Sequence, residues 1–359
     1  SPNPIGFDMT NSPPRIDLFS DTKTRPSMAM REAMMTAQVG DEQADEDPST
    51  LALCDKVADL MGKEKALFLP SGTMCNQIAL AVQCRGGDEV IAEETAHIIN
   101  FEVGGAASLA GAMIRPIKGQ NGIFQASQVE EALRPPLRHS PKSRLVVMEQ
   151  TSNLGGGSVW PLETMKAVAT IARKNGLLVH MDGARLMNAV VASDISAKEY
   201  AACTDSAWID LSKGLGCPIG GVLTGTYEFI EEAWFWKQRL GGSMRQSGIM
   251  ASAGIFALDN NVLRLAEDHL NAKFLAERLS QVDGIEINAG MVETNIILLK
   301  VKAMNLNAVQ LSEALLQEGI RIGAMDDYNV RIVTHLDVDR ADIIEAADTI
   351  EKVMTGKNG

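Results

Sequence analysis

Short apolar segments alternate along the first part of the chain with stretches whose apolar residues recur at helical spacing. The apolar segments have the length of buried strands, and the intervening stretches of about 10–15 residues have the period of amphipathic helices. Such alternation predicts a mostly parallel sheet that is covered by helices on both faces. The predicted strands span residues 65–70, 89–92, 144–149, 177–181 and 208–211, and the clearest helices span 26–37, 49–61, 71–81 and 162–174.

The pattern changes after a long helical stretch at residues 250–282. We therefore expect a large α/β domain at residues 16–260 and a small C-terminal α+β domain at residues 261–359. Residues 1–15 are rich in proline and are expected to form an arm. The small domain is predicted to contain strands at 286–288, 295–301 and 330–333 and helices at 306–318 and 340–354.

Composition and charge exclude several classes of protein. The 359 residues are 45% hydrophobic and 22% charged, which is typical of a globular protein. The net charge of −13 and the lack of a basic cluster make nucleic acids and anionic membranes poor partners. No apolar run reaches the roughly 18 residues of a membrane span, and residues 1–16 lack the pattern of a signal peptide. Five cysteines without metal-binding spacing suit a reducing compartment, so we expect a cytoplasmic protein with no metal site.

One lysine stands where a buried strand is expected to end. Residues 208–211 are mostly apolar, and Lys213 then follows among small residues in the sequence DLSKGLGCPIG. An ammonium group at such a position is costly to bury unless it has a function. A desolvated lysine amine can form an imine with a carbonyl compound. Lys213 is therefore a candidate catalytic residue, and the alternative is an ordinary solvated loop lysine.

A second candidate site lies where a strand gives way to a helix, at Ser71, Gly72 and Thr73. Free backbone N–H groups and hydroxyls at the beginning of a helix can bind a phosphate. A plain serine N-cap is the alternative interpretation. The motifs of P-loop NTPases, dinucleotide-binding folds and serine hydrolases (GxxxxGK[ST], GxGxxG and GxSxG) are absent from the sequence, so those classes are disfavoured.

Two charged residues follow the strand predicted at residues 177–181. Asp182 could hold a protonated ring nitrogen or cap the following helix. Arg185, one turn further on, could bind a carboxylate with its planar guanidinium or form an ion pair with Asp182. A reactive lysine, a phosphate-binding turn, a carboxylate and an arginine together meet the requirements of pyridoxal 5′-phosphate (PLP) acting on an amino acid.

Six segments of the chain resemble, in order, motifs of the L-threonine aldolase family. This family belongs to the β-eliminating lyase and aromatic amino acid lyase-like group of fold type I PLP enzymes, whose fold is that of aspartate aminotransferase. The resemblance implies a large domain with a mainly parallel seven-stranded sheet between helices, plus a small C-terminal α+β domain. The segments are IDLFSDT at 16–22, PSGTMCNQ at 70–77, HMDGARLMN at 180–188, LSKGLGCP at 211–218, LGGSMRQ at 240–246 and RIVTH at 331–335.

The resemblance also implies roles for individual residues. Lys213 would carry PLP as a covalent imine, Asp182 would pair with the pyridine nitrogen, and His97 would cover the ring and reach the substrate hydroxyl. A site that is completed by a neighbouring subunit requires at least a homodimer, and a homotetramer is the family expectation. The phosphate would be bound by Ser71, Gly72 and Thr73 and, from the neighbouring subunit, by Arg245 or Lys237. The substrate carboxylate would be bound by Ser20, Arg185 and Arg331. Arg185 would also contact the cofactor.

Two positions depart from the family's pattern. Ser152 stands where the family commonly has a histidine that faces the substrate hydroxyl, so it is a candidate substrate-binding residue. Ala44 and Asp45 stand where a tyrosine–glycine pair is common, which indicates a roomier pocket. The reaction implied is retro-aldol cleavage of an L-β-hydroxy-α-amino acid, such as threonine or allo-threonine, to glycine and an aldehyde. Two alternatives stay open: a PLP-dependent β-elimination, and a PLP-binding protein without catalytic activity.

Overall fold

The computed structural model of the protein describes residues 13–356, so most of the arm expected at residues 1–15 lies outside the described residues. The strands are β1 (Ile16–Asp17), β2 (Lys65–Leu69), β3 (Asp88–Glu93), β4 (Met113–Ile117), β5 (Lys142–Glu149), β6 (Leu178–Asp182), β7 (Ser206–Asp210), β8 (Gly221–Gly225), β9 (Ile285–Glu286), β10 (Ile296–Val301), β11 (Ile320–Arg321), β12 (Gly323–Ala324) and β13 (Asn329–Val333). The helices are α1 (Met28–Met35), α2 (Pro48–Met61), α3 (Gly72–Gln83), α4 (His97–Asn100), α5 (Ala126–Ala132), α6 (Leu162–Lys174), α7 (Leu186–Ser193), α8 (Ala197–Ala201), α9 (Tyr227–Arg239), α10 (Gly248–Asn260), α11 (Leu265–Leu279), α12 (Ala308–Gln317) and α13 (Arg340–Thr355).

Seven strands form the central sheet in the order β2-β8-β7-β6-β5-β3-β4. Neighbouring strands run parallel from β7 through β6, β5 and β3 to β4. Strand β8 is antiparallel to both β7 and β2, so β2 points in the same direction as the parallel strands. The carboxyl ends of β2, β3, β5, β6 and β7 consequently lie along one edge of the sheet, where ligands bind in open α/β folds.

Apolar runs explain why the central strands are covered on both faces. In β5, Val146 and Met148 pack into the core formed with α2, α5, α6, α8 and α10. The alternate residues Leu145 and Val147 pack into a second core on the opposite face, beside the layer of α3 and α9. All four side chains are at most 2% exposed, as expected for a parallel sheet between two layers of helices.

A smaller unit lies at the C-terminal end of the chain. Its antiparallel sheet, in the order β12-β13-β10-β9, packs against α11, α12 and α13. Strand β1 pairs with β11, and Ile16 and Leu18 are buried in this core. The structure therefore places residues 16–18 against the small unit, although the sequence grouped them with the large domain. The boundary expected near residue 261 falls in the turn between α10 and α11.

The predicted seven-stranded, mainly parallel sheet and the small α+β unit are both confirmed. The helical stretch expected at residues 250–282 is interrupted, because α10 ends at Asn260 and α11 begins at Leu265. Between them, the side chain of Asn261 donates a hydrogen bond of 2.8 Å to the carbonyl of Leu215. Within residues 13–356, no helix is both long enough and apolar enough to cross a membrane.

Candidate active site

Two adjoining cavities open at the carboxyl edge of the central sheet. The first has a volume of about 240 Å³ and the second of about 460 Å³. Thr22, His97, Ala184 and Lys213 line both of them. The first cavity is also lined by Ser71, Gly72, Thr73, Asp182, Trp208, Asp210 and Ser212, and the second by Ser20, Phe101, Glu149, Asn153, Leu154, Arg185, Met325 and Arg331. The fold thus brings most of the expected site residues together.

Lys213 reaches both cavities from the loop that follows β7. Its Nζ atom lies 2.7 Å from Oδ2 of Asp210, and its side chain is only 17% exposed. The other carboxylate oxygen of Asp210 accepts hydrogen bonds from the backbone N and the Oγ of Ser212, at 2.7 and 2.8 Å. The amine is therefore held at the cavity wall and is not a solvated loop lysine.

The turn from β2 into α3 presents the beginning of a helix to the first cavity. Ser71 is the N-cap, and its Oγ accepts a hydrogen bond of 3.2 Å from the N–H of Met74. The N–H groups of Gly72 and Thr73 have no acceptor among residues 13–356. Glycine is required at position 72, since a Cβ atom there would come within 2.5 Å of the Trp208 ring. The turn is thus both a serine N-cap and a pair of free donors that can bind an anion.

Asp182 ends β6 at the floor of the first cavity, and both of its oxygens accept hydrogen bonds. Oδ1 accepts from the N–H of Ala184 at 3.0 Å, and Oδ2 accepts from Nδ2 of Asn76 at 2.7 Å. The residue is 2% exposed. It is not paired with Arg185, so the ion pair considered from the sequence is not formed. A carboxylate bound in this way keeps lone pairs for a further donor, such as a protonated ring nitrogen.

Arg185 forms a buried ion pair with Asp21 instead. Its Nε and Nη2 atoms each lie 2.7 Å from a carboxylate oxygen, and Asn295 donates a further hydrogen bond of 3.0 Å to Asp21. Burial by itself raises the pKa of Asp21, but the charge of Arg185, with smaller effects of Lys213 and Arg331, lowers that pKa well below its ordinary value. Asp21 therefore stays ionised and fixes the guanidinium of Arg185 beside the second cavity.

Arg331 brings a positive charge to the second cavity. Its Nε atom is buried and has no hydrogen-bond partner among the described residues. Burial and the neighbouring charge of Arg185 lower the pKa of Arg331 to about 10, so it stays protonated at neutral pH. Ser20 lines the same cavity, and its Oγ accepts hydrogen bonds from the backbone N and the Oγ1 of Thr22, at 3.2 and 3.0 Å. Two arginines beside one cavity suit an anionic group such as a carboxylate.

His97 is bound to a buried carboxylate that the sequence did not single out. Its Nδ1 lies 2.7 Å from Oε1 of Glu102, and that oxygen also accepts a hydrogen bond of 2.8 Å from Asn76. Because Asn76 also donates to Asp182, one network joins both predicted ring-binding residues. Burial lowers the pKa of His97, but Glu102, Asp182 and Glu149 together raise it above 6.5. With Nδ1 engaged, Nε2 is the nitrogen that remains for a ligand.

Asn76 is the residue that holds this network in place. Its Oδ1 accepts hydrogen bonds from Nε1 of Trp208 at 2.7 Å and from Nε2 of His180 at 3.1 Å. Burial lowers the pKa of His180 to about 4, so this ring is neutral and donates only through Nε2. Asn76 thus uses two donor and two acceptor positions to fix the floor of the first cavity.

Glu149 is a second buried carboxylate, a strand-end residue to which the sequence assigned no role in the site. It ends β5 and lines the second cavity. Its oxygens accept hydrogen bonds from the backbone N–H groups of His97 at 2.7 Å and Asn153 at 2.8 Å. Burial and the neighbouring Asp182 raise the pKa of Glu149 to about 7. A carboxyl group with that pKa in a cavity is a candidate for proton transfer.

Ser152 lines neither cavity. It is 3% exposed, and its Oγ accepts a hydrogen bond of 3.2 Å from the N–H of Gly155. The surrounding loop encloses it closely, since a Cβ atom on Gly155 would come 2.6 Å from that Oγ. The next residue, Asn153, does line the second cavity, and its buried Oδ1 has no partner within residues 13–356. The placement therefore favours Asn153 over Ser152 as a contact for the substrate. Ala44 also lies outside both cavities.

Lys237 and Arg245 line neither cavity of their own chain. Nζ of Lys237 is buried 2.5 Å from Oε1 of Glu42 and 2.7 Å from the carbonyl of Phe68. Within one subunit, these contacts hold the lysine inside its own chain. Arg245 is 62% exposed in its side chain, and its Nη1 lies 2.8 Å from Asp41. Of the two residues predicted to reach a neighbouring site, the structure favours Arg245.

Comparisons with known proteins identify the family. The family described as "Beta-eliminating lyase" matches residues 17–303 of the chain. The chain belongs to this family. A "Low specificity L-threonine aldolase" of Escherichia coli K12 is 44% identical over 333 residues, which are 92% of this chain and 97% of that relative. A "Probable low-specificity L-threonine aldolase 2" of Arabidopsis thaliana is 38% identical over 344 residues, 94% of this chain and 97% of that relative.

Solved structures share the fold. A putative L-allo-threonine aldolase from Listeria monocytogenes has a TM-score of 0.78 at 21% identity, with 96% of each chain covered. A threonine aldolase from Leishmania major has a TM-score of 0.80 at 19% identity, with 94% of this chain and 99% of the other covered. A serine palmitoyltransferase from Sphingomonas wittichii has a TM-score of 0.74 at 17% identity, with 95% and 87% covered. These structures confirm fold type I, the fold of a class of PLP-dependent enzymes.

Proposed function

We propose that this protein is a PLP-dependent lyase that cleaves the Cα–Cβ bond of L-threonine and related L-β-hydroxy-α-amino acids, releasing glycine and an aldehyde. One observation carries the proposal: a lysine, a buried carboxylate and the beginning of a helix meet in one cavity, which adjoins a second cavity lined by Arg331. Relatives named L-threonine aldolase, similar over nearly the whole chain, support it.

The polar groups of the first cavity match those of PLP. Lys213 would bond covalently to the aldehyde carbon, and the free N–H groups of Gly72 and Thr73 would bind the phosphate. Asp182, held by Asn76, would face the pyridine nitrogen and keep it protonated. When bound, PLP supplies the electron sink for the bond that breaks. The role of these residues is to fix the orientation of the ring.

The second cavity would receive the substrate carboxylate. The buried Nε of Arg331 has no hydrogen-bond partner within residues 13–356, and Asp21 holds Arg185 beside the same cavity. Ser20 lines the same cavity and adds a hydroxyl. Two guanidinium groups that bind one carboxylate fix both the position and the rotation of the amino acid. Fixing the rotation decides which bond at Cα is oriented for cleavage.

His97 is our candidate for the base that takes the proton of the β-hydroxyl. With Nδ1 donating to Glu102, the neutral ring carries its lone pair on Nε2. The proton passes from the hydroxyl to Nε2 while the Cα–Cβ bond breaks, and the former hydroxyl oxygen becomes the carbonyl oxygen of the aldehyde. Cα then takes up a proton, which gives glycine. Glu102 would be a positioning residue, as carboxylates are for other catalytic histidines.

A β-elimination is the second candidate function. Glu149 lines the second cavity, and burial raises its pKa to about 7, so part of the population carries a proton at neutral pH. A carboxylic acid at this position could protonate the departing hydroxyl, and loss of the Cα proton together with that water would then replace loss of an aldehyde. The products then are ammonia and a keto acid, which distinguishes the two reactions.

The experiment measures cofactor binding and products together. We expect the purified protein to show the absorbance of a PLP imine and to release glycine from L-threonine, L-allo-threonine, phenylserine or β-hydroxyaspartate. Ammonia plus a keto acid would replace the lyase proposal with the elimination. The imine absorbance without turnover of any of these substrates would indicate a PLP-binding protein without catalytic activity. Failure to bind PLP would contradict all three.

We also propose that the protein acts as a cytoplasmic homo-oligomer, at least a dimer and by expectation a tetramer. Arg245, which is exposed at the surface, is available to contact the phosphate in a neighbouring subunit. The domain limits of 16–260 and 261–359 stay a prediction, apart from residues 16–18, which pack against the small unit. Size-exclusion chromatography with light scattering tests the oligomeric state.

A further inference from the structure

A second carboxylate, Asp210, lines the first cavity close to the beginning of α3, where we propose that the phosphate binds. It is the last residue of β7 and is 7% exposed. Ser212 fixes its Oδ1 through two hydrogen bonds, which leaves Oδ2 facing the cavity. That oxygen lies 2.7 Å from Nζ of Lys213 and 3.1 Å from the place where a Cβ atom on Gly72 would be. Asp210 therefore contacts the reactive amine and lies close to the beginning of α3.

The beginning of α3 attracts negative charge. The helix has 12 residues, and the N–H groups of Gly72 and Thr73 find no acceptor among residues 13–356. Such a helix end favours one anion. Asp210 already places an anion against it, and that charge is neutralised by Lys213. A phosphate bound by these N–H groups would lie close to Asp210, and the amine that neutralises Asp210 would be needed to bind the cofactor's aldehyde.

We propose that Asp210 is a built-in competitor of the cofactor phosphate. In the protein without cofactor, it holds Lys213 and supplies negative charge to the beginning of α3. PLP must displace this arrangement and place its phosphate beside a fixed carboxylate, so the site binds PLP more weakly than its donors alone would allow. Because binding is weakened, the fraction of the protein that carries PLP would change with the concentration of free PLP. This inference rests on the proposed use of PLP.

The test is the dissociation constant of PLP, measured by absorbance titration of protein stripped of its cofactor. Asp210→Asn keeps the size of the side chain and an oxygen for Ser212, but it removes the charge. We expect this variant to bind PLP about tenfold more tightly than the wild type, since like charges a few ångströms apart repel strongly in a partly buried site. Asp210→Ser, a smaller neutral variant, should shift the constant in the same direction.

Pyridoxal, which lacks the phosphate, distinguishes an effect of Asp210 on the phosphate from an effect of Asp210 on Lys213. Competition with the phosphate predicts a large gain for PLP and a much smaller gain for pyridoxal. Asp259→Asn is the matched control, because it also removes an aspartate that pairs with a lysine, Lys56 at 2.6 Å, but outside both cavities. The control should bind both ligands like the wild type.

Two outcomes would overturn the inference. Equal or weaker PLP binding by both Asp210 variants, with their melting temperatures retained, would show that the carboxylate does not compete. Equal gains for PLP and pyridoxal would place the effect on Lys213 alone. A wild type that binds PLP and turns over substrate, with no gain in the variants, refutes only this inference. A wild type and variants that all fail to bind PLP refute the proposed function as well.

Discussion

The ion pair between Asp21 and Arg185 gives the sharpest prediction about stability. Both side chains are at most 4% exposed, and two hydrogen bonds of 2.7 Å join them. Asp21→Asn keeps the shape of the side chain but leaves the guanidinium buried without its counter-charge. The amide group of the new asparagine also points N–H donors at Arg185 or at Asn295. Both of these residues are themselves donors to position 21, so donors would face donors. The variant therefore loses a charge and part of its hydrogen bonding at once.

The expected loss is large. Removing one partner of a buried ion pair costs about 3–5 kcal/mol, because the remaining charge is left uncompensated. The sign of the pH dependence follows from the lowered pKa of Asp21. A carboxylate whose pKa is lower in the folded state contributes stability above its unfolded value of about 3.9. The contribution shrinks as the pH falls below that value, so the difference between wild type and variant should shrink as well.

Chemical unfolding of the wild type and of Asp21→Asn at several pH values measures this difference. Asp337→Asn is the matched control, because its partner Arg25 is 79% exposed and the pair at 3.5 Å is open to solvent. We expect the control to lose only a small fraction of what Asp21→Asn loses. Equal losses in the two variants, or a difference that stays constant from pH 7 to pH 3, would refute the buried ion pair as the source of the stability.

Other substitutions test the site directly. Lys213→Ala should yield no covalent PLP adduct after borohydride reduction and mass spectrometry, whereas Lys56→Ala should keep the adduct; an adduct in the first variant contradicts the assignment. Glu102→Gln should lower kcat by about a hundredfold. It should also move the acid limb of the pH profile of kcat/KM to lower pH, because Glu102 helps to raise the pKa of His97. If the acid limb does not move, Glu102 has a structural role only. Arg331→Leu should raise KM while the PLP absorbance stays unchanged, and an unchanged KM would remove Arg331 from the substrate site. Ser152→His should lower the melting temperature, because the glycines packed against Ser152 leave no room for a larger side chain. A variant with the melting temperature of the wild type would show that the loop can rearrange to accept the histidine.

The sequence predicted the central strands because they are continuous apolar runs, and it missed the strands that lack this property. Strand β8, Gly221–Gly225, begins and ends with glycine, which leaves only three residues with side chains as a strand signal. It forms because β2 and β7 pair with it on both sides. Strand β4 contains Arg115 and Pro116, and it lies at the edge of the sheet, where a missing N–H and a charge are tolerated.

Active-site residues also differ in whether the sequence near them gives a signal. Asp182 and Lys213 could be found because the first ends an apolar strand and the second follows one closely, which is a local signal. The partner of Arg185 could not, since Asp21 is 164 residues away and only the tertiary fold brings the two together. Asn76 and Asp21 lie inside two of the segments that carried the family resemblance, so position within a motif was the available signal. Glu102 offered no such signal.

Lys213 and its neighbours, as we propose, cleave the Cα–Cβ bond of an amino acid with PLP. The most direct measurement follows L-threonine labelled with 13C at Cα, by NMR, with the purified PLP-loaded protein and with Lys213→Ala. We predict that the wild type transfers the label to glycine with an equal amount of acetaldehyde, and that the variant leaves threonine unchanged. Label in a keto acid would contradict the cleavage of the Cα–Cβ bond. Equal formation of glycine by the variant would contradict the role of Lys213.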